Sequence, residues 1–103
     1  MKNRVIFQNL ERNEGKNVDW DFVENGTGLL DELNAELGQT HPLYRKAKQA
    51  IARRYSQDDV LYELNDNKYA IVHLTYSHHN QEGWPRFILF NTLEEAESFI
   101  KYN

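Results

Sequence analysis

Two short apolar runs separated by a polar turn most constrain how this chain can fold. Residues 60–64 and 69–77 are rich in β-branched and aromatic side chains, which favour strands. The four residues between them, 65–68, read Asn-Asp-Asn-Lys and provide the chemistry of a tight turn. The pattern therefore predicts a β-hairpin, and a third apolar run at 86–90 predicts a further strand.

Helices are predicted on both sides of this hairpin. Leucines at 29, 30, 33 and 37 share one side of a helix over 28–37. Thr40 and Pro42 are typical of a helix start, and apolar and basic residues then alternate at helical spacing to about Arg54. Thr92 can cap a third helix, with Leu93, Ala96, Phe99 and Ile100 as its buried stripe.

These elements predict an α+β fold with a single domain over residues 1–103. We expect an antiparallel meander of three to four strands, with about three helices packed on one face. Alternating apolar residues at 18, 20 and 22 predict a short edge strand. Residues 1–25 are accordingly expected either to be flexible or to contribute that strand.

Composition excludes several classes of function. The chain has no cysteine, so thiolate chemistry, iron–sulfur clusters and disulfides are ruled out. The formal charge of −4 argues against general nucleic-acid binding, which needs a broad cationic face. No apolar run is long enough for a membrane span or a signal peptide, so we expect a soluble, cytoplasmic protein.

One face of the predicted sheet is the first candidate for binding. The strand that begins at residue 69 places Tyr69, Ile71, His73 and Thr75 on the side opposite the expected core. If all helices pack on the other side, this face stays partly open, with Trp84 beside it. Aromatic residues mixed with one histidine suit protein recognition. The basic side of the helix over 42–54 is a second candidate surface.

A second-choice site combines His41 with Asp58 or Asp59, because the predicted helix over 42–54 leads directly into the first hairpin strand. Together with His73, these residues include the groups that general-base catalysis or metal binding needs. However, satisfied structural histidines are the more common outcome. No P-loop, dinucleotide-binding turn, HExxH or GxSxG motif is present, so no catalytic residue, metal ligand or cofactor is assigned.

Four sequence blocks carry a resemblance to a known group of proteins. They are HPLY at 41–44, DDVL at 58–61, VHLTY at 72–76 and WP at 84–85. In this order they resemble a group of small uncharacterised bacterial proteins. The resemblance covers about half of the chain. It implies a bacterial, cytoplasmic protein and carries over no activity and no functional residue.

The sequence favours a non-enzymatic protein-interaction or regulatory domain. Its partner is expected to be another protein or a second copy of the chain, with neither a membrane nor nucleic acid involved. The alternative is a small hydrolase or metal-assisted enzyme that uses His73 with His41 or Asp59. Convergence of these side chains in a cleft would favour the enzyme, whereas their separation would favour the interaction domain.

Overall fold

The computed structural model describes residues 20–54, 56–76 and 84–102. Within these residues, five strands and two helices follow one another along the chain. They are β1 (Trp20–Phe22), α1 (Thr27–Glu36), β2 (Ala47–Arg54), β3 (Asp59–Leu64), β4 (Tyr69–His73), β5 (Phe87–Phe90) and α2 (Leu93–Tyr102).

The strands form one antiparallel sheet in which each pairs with the next along the chain, in the order β1-β2-β3-β4-β5. This confirms the predicted α+β class and the hairpin, which is β3 and β4. The second strand is shorter than predicted, because β4 ends at His73 and Thr75 lies beyond it. The turn between them is closed by a 2.8 Å bond from Leu64 N to Lys68 O, and Asn67 takes a φ of 63°. Asparagine tolerates this left-handed conformation better than most residues. The described sheet has five strands, however, and not three to four.

The fifth strand arises because the predicted helix over 42–54 is wrong. Residues 41–46 form turns, and β2 follows as an inner strand between β1 and β3. The register of β2 on β3 shifts between Ala47 and Gln49 and again between Ala50 and Ala52. These bulges interrupt the period-2 pattern and bury Ala50, Ile51 and Ala52 in succession. Together with helix-favouring Ala, Lys and Arg residues, that spacing mimics an amphipathic helix.

The two described helices lie on opposite faces of the sheet, which corrects the prediction of about three helices on one face. Along β3, Val60 and Tyr62 join the core that includes Leu33 of α1, whereas Leu61 between them joins the core that includes Leu93 of α2. Successive strand residues point to opposite faces. We call these the α1 face and the α2 face.

Each face has its own apolar core. The buried α1-face core comprises Leu33, Leu37, Leu43, Ala50, Val60, Tyr62, Leu64, Ala70, Val72 and Leu74. The buried α2-face core comprises Trp20, Ile51, Ala52, Leu61, Ile71, Leu93, Ala96 and Ile100. The predicted apolar stripe of the last helix and the predicted core side of β4 are confirmed, because Leu93, Ala96 and Ile100, and Ala70 and Val72, are buried.

Local contacts fix where each helix begins. At α2, the Thr92 hydroxyl accepts a 3.1 Å bond from Glu95 N, as predicted for the cap. At α1, Gly26 precedes the first turn, and a Cβ at this position would lie 2.7 Å from the Cβ of Ala50. Only glycine therefore allows α1 to start this close to β2. The buried Tyr62 hydroxyl donates to Leu29 O at 2.7 Å and ties α1 to β3.

The β1 strand confirms the predicted edge strand over Trp20–Phe22. The rest of that predicted strand, Val18 and Asp19, lies outside the described residues, as do residues 1–17. Strand β5 confirms the third predicted run over Phe87–Phe90 and forms the opposite edge of the described sheet.

Candidate functional site

The face predicted to be open is covered by α2. Ile71 is only 5% exposed and belongs to the α2-face core, and Tyr69 packs against that core. Only two residues separate β5 from α2, so the helix folds back over the adjoining strands and buries its apolar stripe there. Burial and nearby carboxylates of Glu63 and Glu94 raise the pKa of Tyr69. The predicted patch is therefore not a continuous surface.

The remaining members of that predicted patch point to different places. The Thr75 hydroxyl donates to Glu36 at 2.8 Å, which binds it to the end of α1. His73 is exposed on the α2 face, and its Nδ1 lies 2.8 Å from Asp59. Trp84 is 36% exposed just before β5, with the guanidinium of Arg86 4.6 Å above its ring. Trp84 alone stays at a surface where a partner could reach it together with other apolar side chains.

A charged cluster on the α2 face includes one pair from the second-choice site. Asp59 lies between His73, at 2.8 Å, and Arg54, at 4.0 Å. Asp59 therefore provides a carboxylate partner for Arg54. Cross-strand neighbours hold the three side chains together, because Asp59 is opposite Arg54 on β2 and opposite His73 on β4. The cluster can orient an imidazole, but it is partly exposed and lies outside the cleft described below.

His41 does not join this cluster. Its ring is buried, Nδ1 accepts a 3.0 Å bond from Leu43 N, and Nε2 donates to Pro85 O at 2.9 Å. Both ring nitrogens are therefore engaged in a structural role, and the neutral tautomer carries its proton on Nε2. The ring also packs on Phe87, which lies on the α1 face.

His41 and His73 thus lie on opposite faces of the sheet, and a composite site that uses both is wrong. Asp58 contributes its backbone carbonyl to Leu74 N at 2.8 Å, and the residue is exposed. Of the second-choice residues, only Asp59 is brought to His73.

A buried carboxylate at the end of α1 was not predicted. Glu36 is 2% exposed and accepts bonds from Thr75 N, the Thr75 hydroxyl and Tyr76 N, at distances between 2.8 and 3.1 Å. Burial by itself raises the pKa of Glu36, but a hydrogen bond with the Glu32 side chain and those donated by Thr75 and Tyr76 outweigh it and lower the pKa. Tyr76 has a φ of 54°, a left-handed conformation that changes the direction of the chain just after its N–H has bonded the carboxylate.

We call the bonds of Glu36 to Thr75 and Tyr76 the clamp. The sequence could not reveal the clamp, because Glu36 and its partners are 39 and 40 residues apart. Glu36 also occupies an ordinary polar position next to Leu37 in the helical pattern. The clamp joins α1 to the chain after β4, and its bonds all belong to groups inside the fold. Its role is therefore structural.

A shallow cleft of about 500 Å³ lies beside this clamp. Its lining combines the end of β1 and the first turns of α1 with Arg53 and Tyr76. Burial raises the pKa of the Tyr76 hydroxyl, and the cation of Arg53 opposes that shift. Glu24 and Glu32 add two carboxylates to the lining, so the cleft mixes both signs of charge and presents no array of groups of one chemistry.

The basic segment is also placed differently from the prediction. Its residues lie in the turns over 41–46 and on β2, and they do not form one face of a helix. Lys48 lies 3.8 Å from Glu63 on β3, and Gln49 beside it donates to the same carboxylate at 2.6 Å. The guanidinium of Arg45 lies over the ring of Tyr44 at 5.3 Å. Much of the local positive charge is therefore matched within the fold.

The outer edge of β5 has the clearest geometry for binding. His73 N donates to Arg86 O at 2.9 Å, and the β4–β5 register continues without a shift to Tyr69 opposite Phe90. In an antiparallel ladder, alternate residues direct their N–H and C=O groups toward the partner. Arg86, Ile88 and Phe90 therefore face β4, while the backbone groups of Phe87 and Leu89 point away from it.

No strand among residues 20–54, 56–76 and 84–102 pairs with those outward groups. The side chains of Ile88 and Leu89 are 43% and 52% exposed and lie on opposite faces of the sheet. The four residues of β5 carry no charge. We call this surface, with Trp84 at its beginning, the β5 edge. The sequence predicted the strand and singled out Trp84, but the edge position depends on the order of strands in the sheet.

Two further findings concern the described residues alone. No group of three or more His, Asp or Glu side chains among them is arranged to hold a metal ion. None of their helices has the length and apolar character needed to cross a membrane. In comparisons with known proteins, no family model, curated protein or solved structure matches this chain.

Proposed function

We propose that this chain is a non-enzymatic protein-interaction domain that binds an extended segment or edge strand of another polypeptide at the β5 edge. The observation that carries the proposal is the outward direction of the Phe87 and Leu89 backbone groups in an uncharged strand. The bacterial, cytoplasmic setting implied by the sequence resemblance is part of the same proposal.

Strand addition matches both features of this edge. The incoming backbone gains hydrogen bonds from Phe87 and Leu89, which supply affinity without requiring a particular sequence. Ile88 and Leu89 are exposed on the two faces and can contact alternate side chains of the added strand. Trp84 extends the apolar surface at the start of the strand, and aromatic residues are enriched at protein interfaces.

The absence of charges and bulges from β5 further supports binding, although the strand is short. Natural sheets protect their edges with charges, bulges, prolines or very short strands, because unpaired edges recruit other chains. β5 has neither a charged residue nor a register shift on β4. Pro85 precedes the strand and leaves the outward groups of Phe87 and Leu89 unaffected.

The test compares partner binding by the wild-type chain and Leu89→Pro. Proline at 89 removes only an N–H that points away from β4, so the sheet should be retained. The full chain is used as bait in an extract of the source organism, and each bound protein is then purified and mixed with it. We expect a partner that slows amide exchange at Phe87 and Leu89 and is lost with Leu89→Pro.

Ser98→Lys, an exposed change on α2, serves as the matched control and should keep that partner. The proposal would be refuted if every partner bound Leu89→Pro with the same affinity as wild type and left the Phe87 and Leu89 amides of the wild-type chain unprotected. Circular dichroism and urea unfolding establish that each variant is folded.

A second candidate function rests on the 2.8 Å contact of His73 Nδ1 with Asp59. A carboxylate that orients an imidazole is the arrangement of many general bases, so a small hydrolase or metal-assisted enzyme remains the alternative. This candidate predicts hydrolysis of activated esters that is abolished by His73→Ala and strongly reduced by Asp59→Asn. Equal rates for wild type and His73→Ala would eliminate it.

A further inference from the structure

We propose that the partner at the β5 edge is a second copy of this chain, paired antiparallel through β5 about a two-fold axis beside Ile88. The two sheets would then join into one continuous ten-stranded sheet, twice the five strands of a single copy. Because this copy would occupy the same edge, the inference rests on the proposed function.

Symmetry restricts how two copies of one strand can pair. A two-fold axis between antiparallel strands lies perpendicular to the sheet and places one residue directly opposite itself. With Ile88 on the axis, Phe87 of one copy is opposite Leu89 of the other, and the reverse pair follows by symmetry. These are the two residues whose backbone groups point outward. Each pair exchanges two hydrogen bonds, so four bonds form within Phe87–Phe90 alone.

The alternative register with Leu89 on the axis is poorer. It pairs Leu89 with itself and Phe87 with Asn91 of the second copy. The N–H of Asn91 already donates to the Glu95 carboxylate at 2.9 Å, where it helps to begin α2. That register would have to break this contact to complete its hydrogen bonds. The register centred on Ile88 leaves the start of α2 unchanged.

The same register covers the exposed apolar side chains of the edge. Ile88 meets its own copy on the α2 face, and Leu89 lies beside Phe87 of the second copy on the α1 face. Directly opposite residues in an antiparallel pair have Cβ atoms roughly 5 Å apart, within contact distance for these side chains. Ile88 and Leu89 are among the most exposed large apolar residues of the described chain. Their burial gives the association its hydrophobic component.

Charges at the two ends of β5 are complementary under this symmetry. Arg86 precedes the strand, and Glu94 and Glu95 occupy the first turn of α2 just after it. Pairing centred on Ile88 places Arg86 opposite Phe90 of the second copy, and so next to the start of that copy's α2. The attraction between Arg86 of one copy and the α2 carboxylates of the other occurs twice, once on each side of the axis. This is a specific advantage for a chain of net charge −4, whose copies otherwise repel each other.

The experiment is sedimentation of the full chain from about 1 µM to about 1 mM, a range that brackets weak association through a small interface. We expect the wild type to shift from monomer to dimer within this range. Ile88→Lys places two ammonium groups across the axis and should weaken the dimer at least tenfold. Leu89→Pro should do the same by removing two of the four hydrogen bonds. Ser98→Lys adds the same charge on exposed α2 and should leave the dimer unchanged.

A charge exchange tests the register. Arg86→Glu and Glu94→Arg should each weaken the dimer several-fold, and the double variant should restore it, because the two positions would meet across the interface. Circular dichroism at each concentration verifies the fold. Failure of the double variant to regain affinity over both single variants would overturn the register centred on Ile88.

The outcomes separate this inference from the proposed function. A wild-type chain that stays monomeric to about 1 mM overturns the inference, as does a dimer that Ile88→Lys and Leu89→Pro leave intact. The proposed function survives either result if a different protein protects the Phe87 and Leu89 amides. The proposed function and the inference fail together only if neither a second copy nor a different protein protects the Phe87 and Leu89 amides.

Discussion

At one edge of the sheet β1 has three residues and carries Asp21, whereas at the other edge β5 has four residues and no charge. Val23 N donates to Ile51 O, so the N–H of Phe22 points away from β2, toward solvent. The Asp21 carboxylate accepts a 2.8 Å bond from that N–H. An incoming strand would have to displace it. The N–H groups of Phe87 and Leu89 have no such neighbour within β5.

Among the described residues, a side chain therefore occupies the outward N–H at β1, whereas no strand or side chain of β5 occupies those at β5. Both edges belong to the same meander, and both carry aromatic residues, so apolar content alone does not distinguish them. The distinguishing feature is whether an outward N–H is already satisfied. Edge protection of this kind is a recognised device against unwanted pairing. Within the described residues it is found at β1 and not at β5, which agrees with the proposal that β5 is the edge that binds a partner.

The largest effect is expected from proline substitutions at adjacent positions of β5. Ile88→Pro removes an N–H that faces β4 and should lower the free energy of unfolding by about 3 kcal/mol. Leu89→Pro removes an outward N–H and should cost roughly 1 kcal/mol or less. Urea unfolding of both variants measures the difference. Equal losses would show that the inward and outward groups of β5 are assigned wrongly.

A loss of about 2 to 3 kcal/mol is expected for Glu36→Ala, which would leave the partly buried N–H groups of Thr75 and Tyr76 without their acceptor. Glu36→Gln keeps one acceptor oxygen and should lose less. The bonds of Glu36 join α1 to the chain after β4 and involve no residue of β5, so Glu36→Ala should lower stability without affecting the proposed pairing through β5. A variant as stable as wild type would show that the clamp contributes nothing.

The pH dependence of the same clamp follows from the lowered pKa of Glu36. Because the ordinary value is 4.5 and the folded value is lower, the unfolded chain binds more protons in the interval between them. The ionised carboxylate therefore stabilises the fold above about pH 4.5, and this contribution is lost as the pH falls through the folded value. Glu36→Gln should lose less stability than wild type over that acid interval, as measured by urea unfolding at several pH values.

Two glycines at the start of α1 offer a matched pair with a smaller effect. Gly26→Ala should destabilise the fold by roughly 1 to 3 kcal/mol, because its Cβ would meet Ala50 at 2.7 Å. Gly28→Ala has nothing within 4 Å of its Cβ and should instead gain about 0.5 to 1 kcal/mol of helix propensity. Thermal unfolding compares the two. Destabilisation by both would indicate a different approach of α1 to β2.

The smallest change in stability, about 0.5 to 1 kcal/mol, is expected for Asp21→Ala, which removes one partly buried hydrogen bond. Its main effect should be on association, because the Phe22 N–H becomes available at the β1 edge. Light scattering should detect larger assemblies in Asp21→Ala that are absent in wild type. If Asp21→Ala and wild type scatter alike at every concentration, Asp21 does not protect the edge.

The local parts of the fold were predictable from the sequence. The hairpin of β3 and β4, the strand β5 and the capped helix α2 follow from turn residues, apolar periodicity and Thr92. β2 was not predictable, because its two register shifts disguise a strand as a helix. The covering of Ile71 by α2 depends on which face the helix returns to, and no short-range pattern encodes that choice.

The candidate site was predictable only in part. Trp84 and the strand after it were singled out, but the outward direction of Phe87 and Leu89 is set by the position of β5 at the end of the sheet. His73 and Asp59 were both candidate residues, grouped on the basis of a helix that is wrong, and the hairpin register is what brings them together. A structural role for His41 was the more common expectation, but its acceptor at Pro85, 44 residues away, could not be read from the sequence. Contacts across such separations depend on the tertiary fold.

The nearest-neighbour order of the strands has a consequence for how the chain folds. Each strand pairs with the next along the chain, and the connections on the two sides of β3 are the shortest, with four residues each, so closing the β2-β3-β4 part of the sheet first is favoured. The contacts that span the longest separations, Glu36 with Thr75 and His41 with Pro85, can form only after that ladder exists. We expect substitutions in these two polar anchors mainly to speed unfolding, and substitutions in the hairpin of β3 and β4 mainly to slow folding.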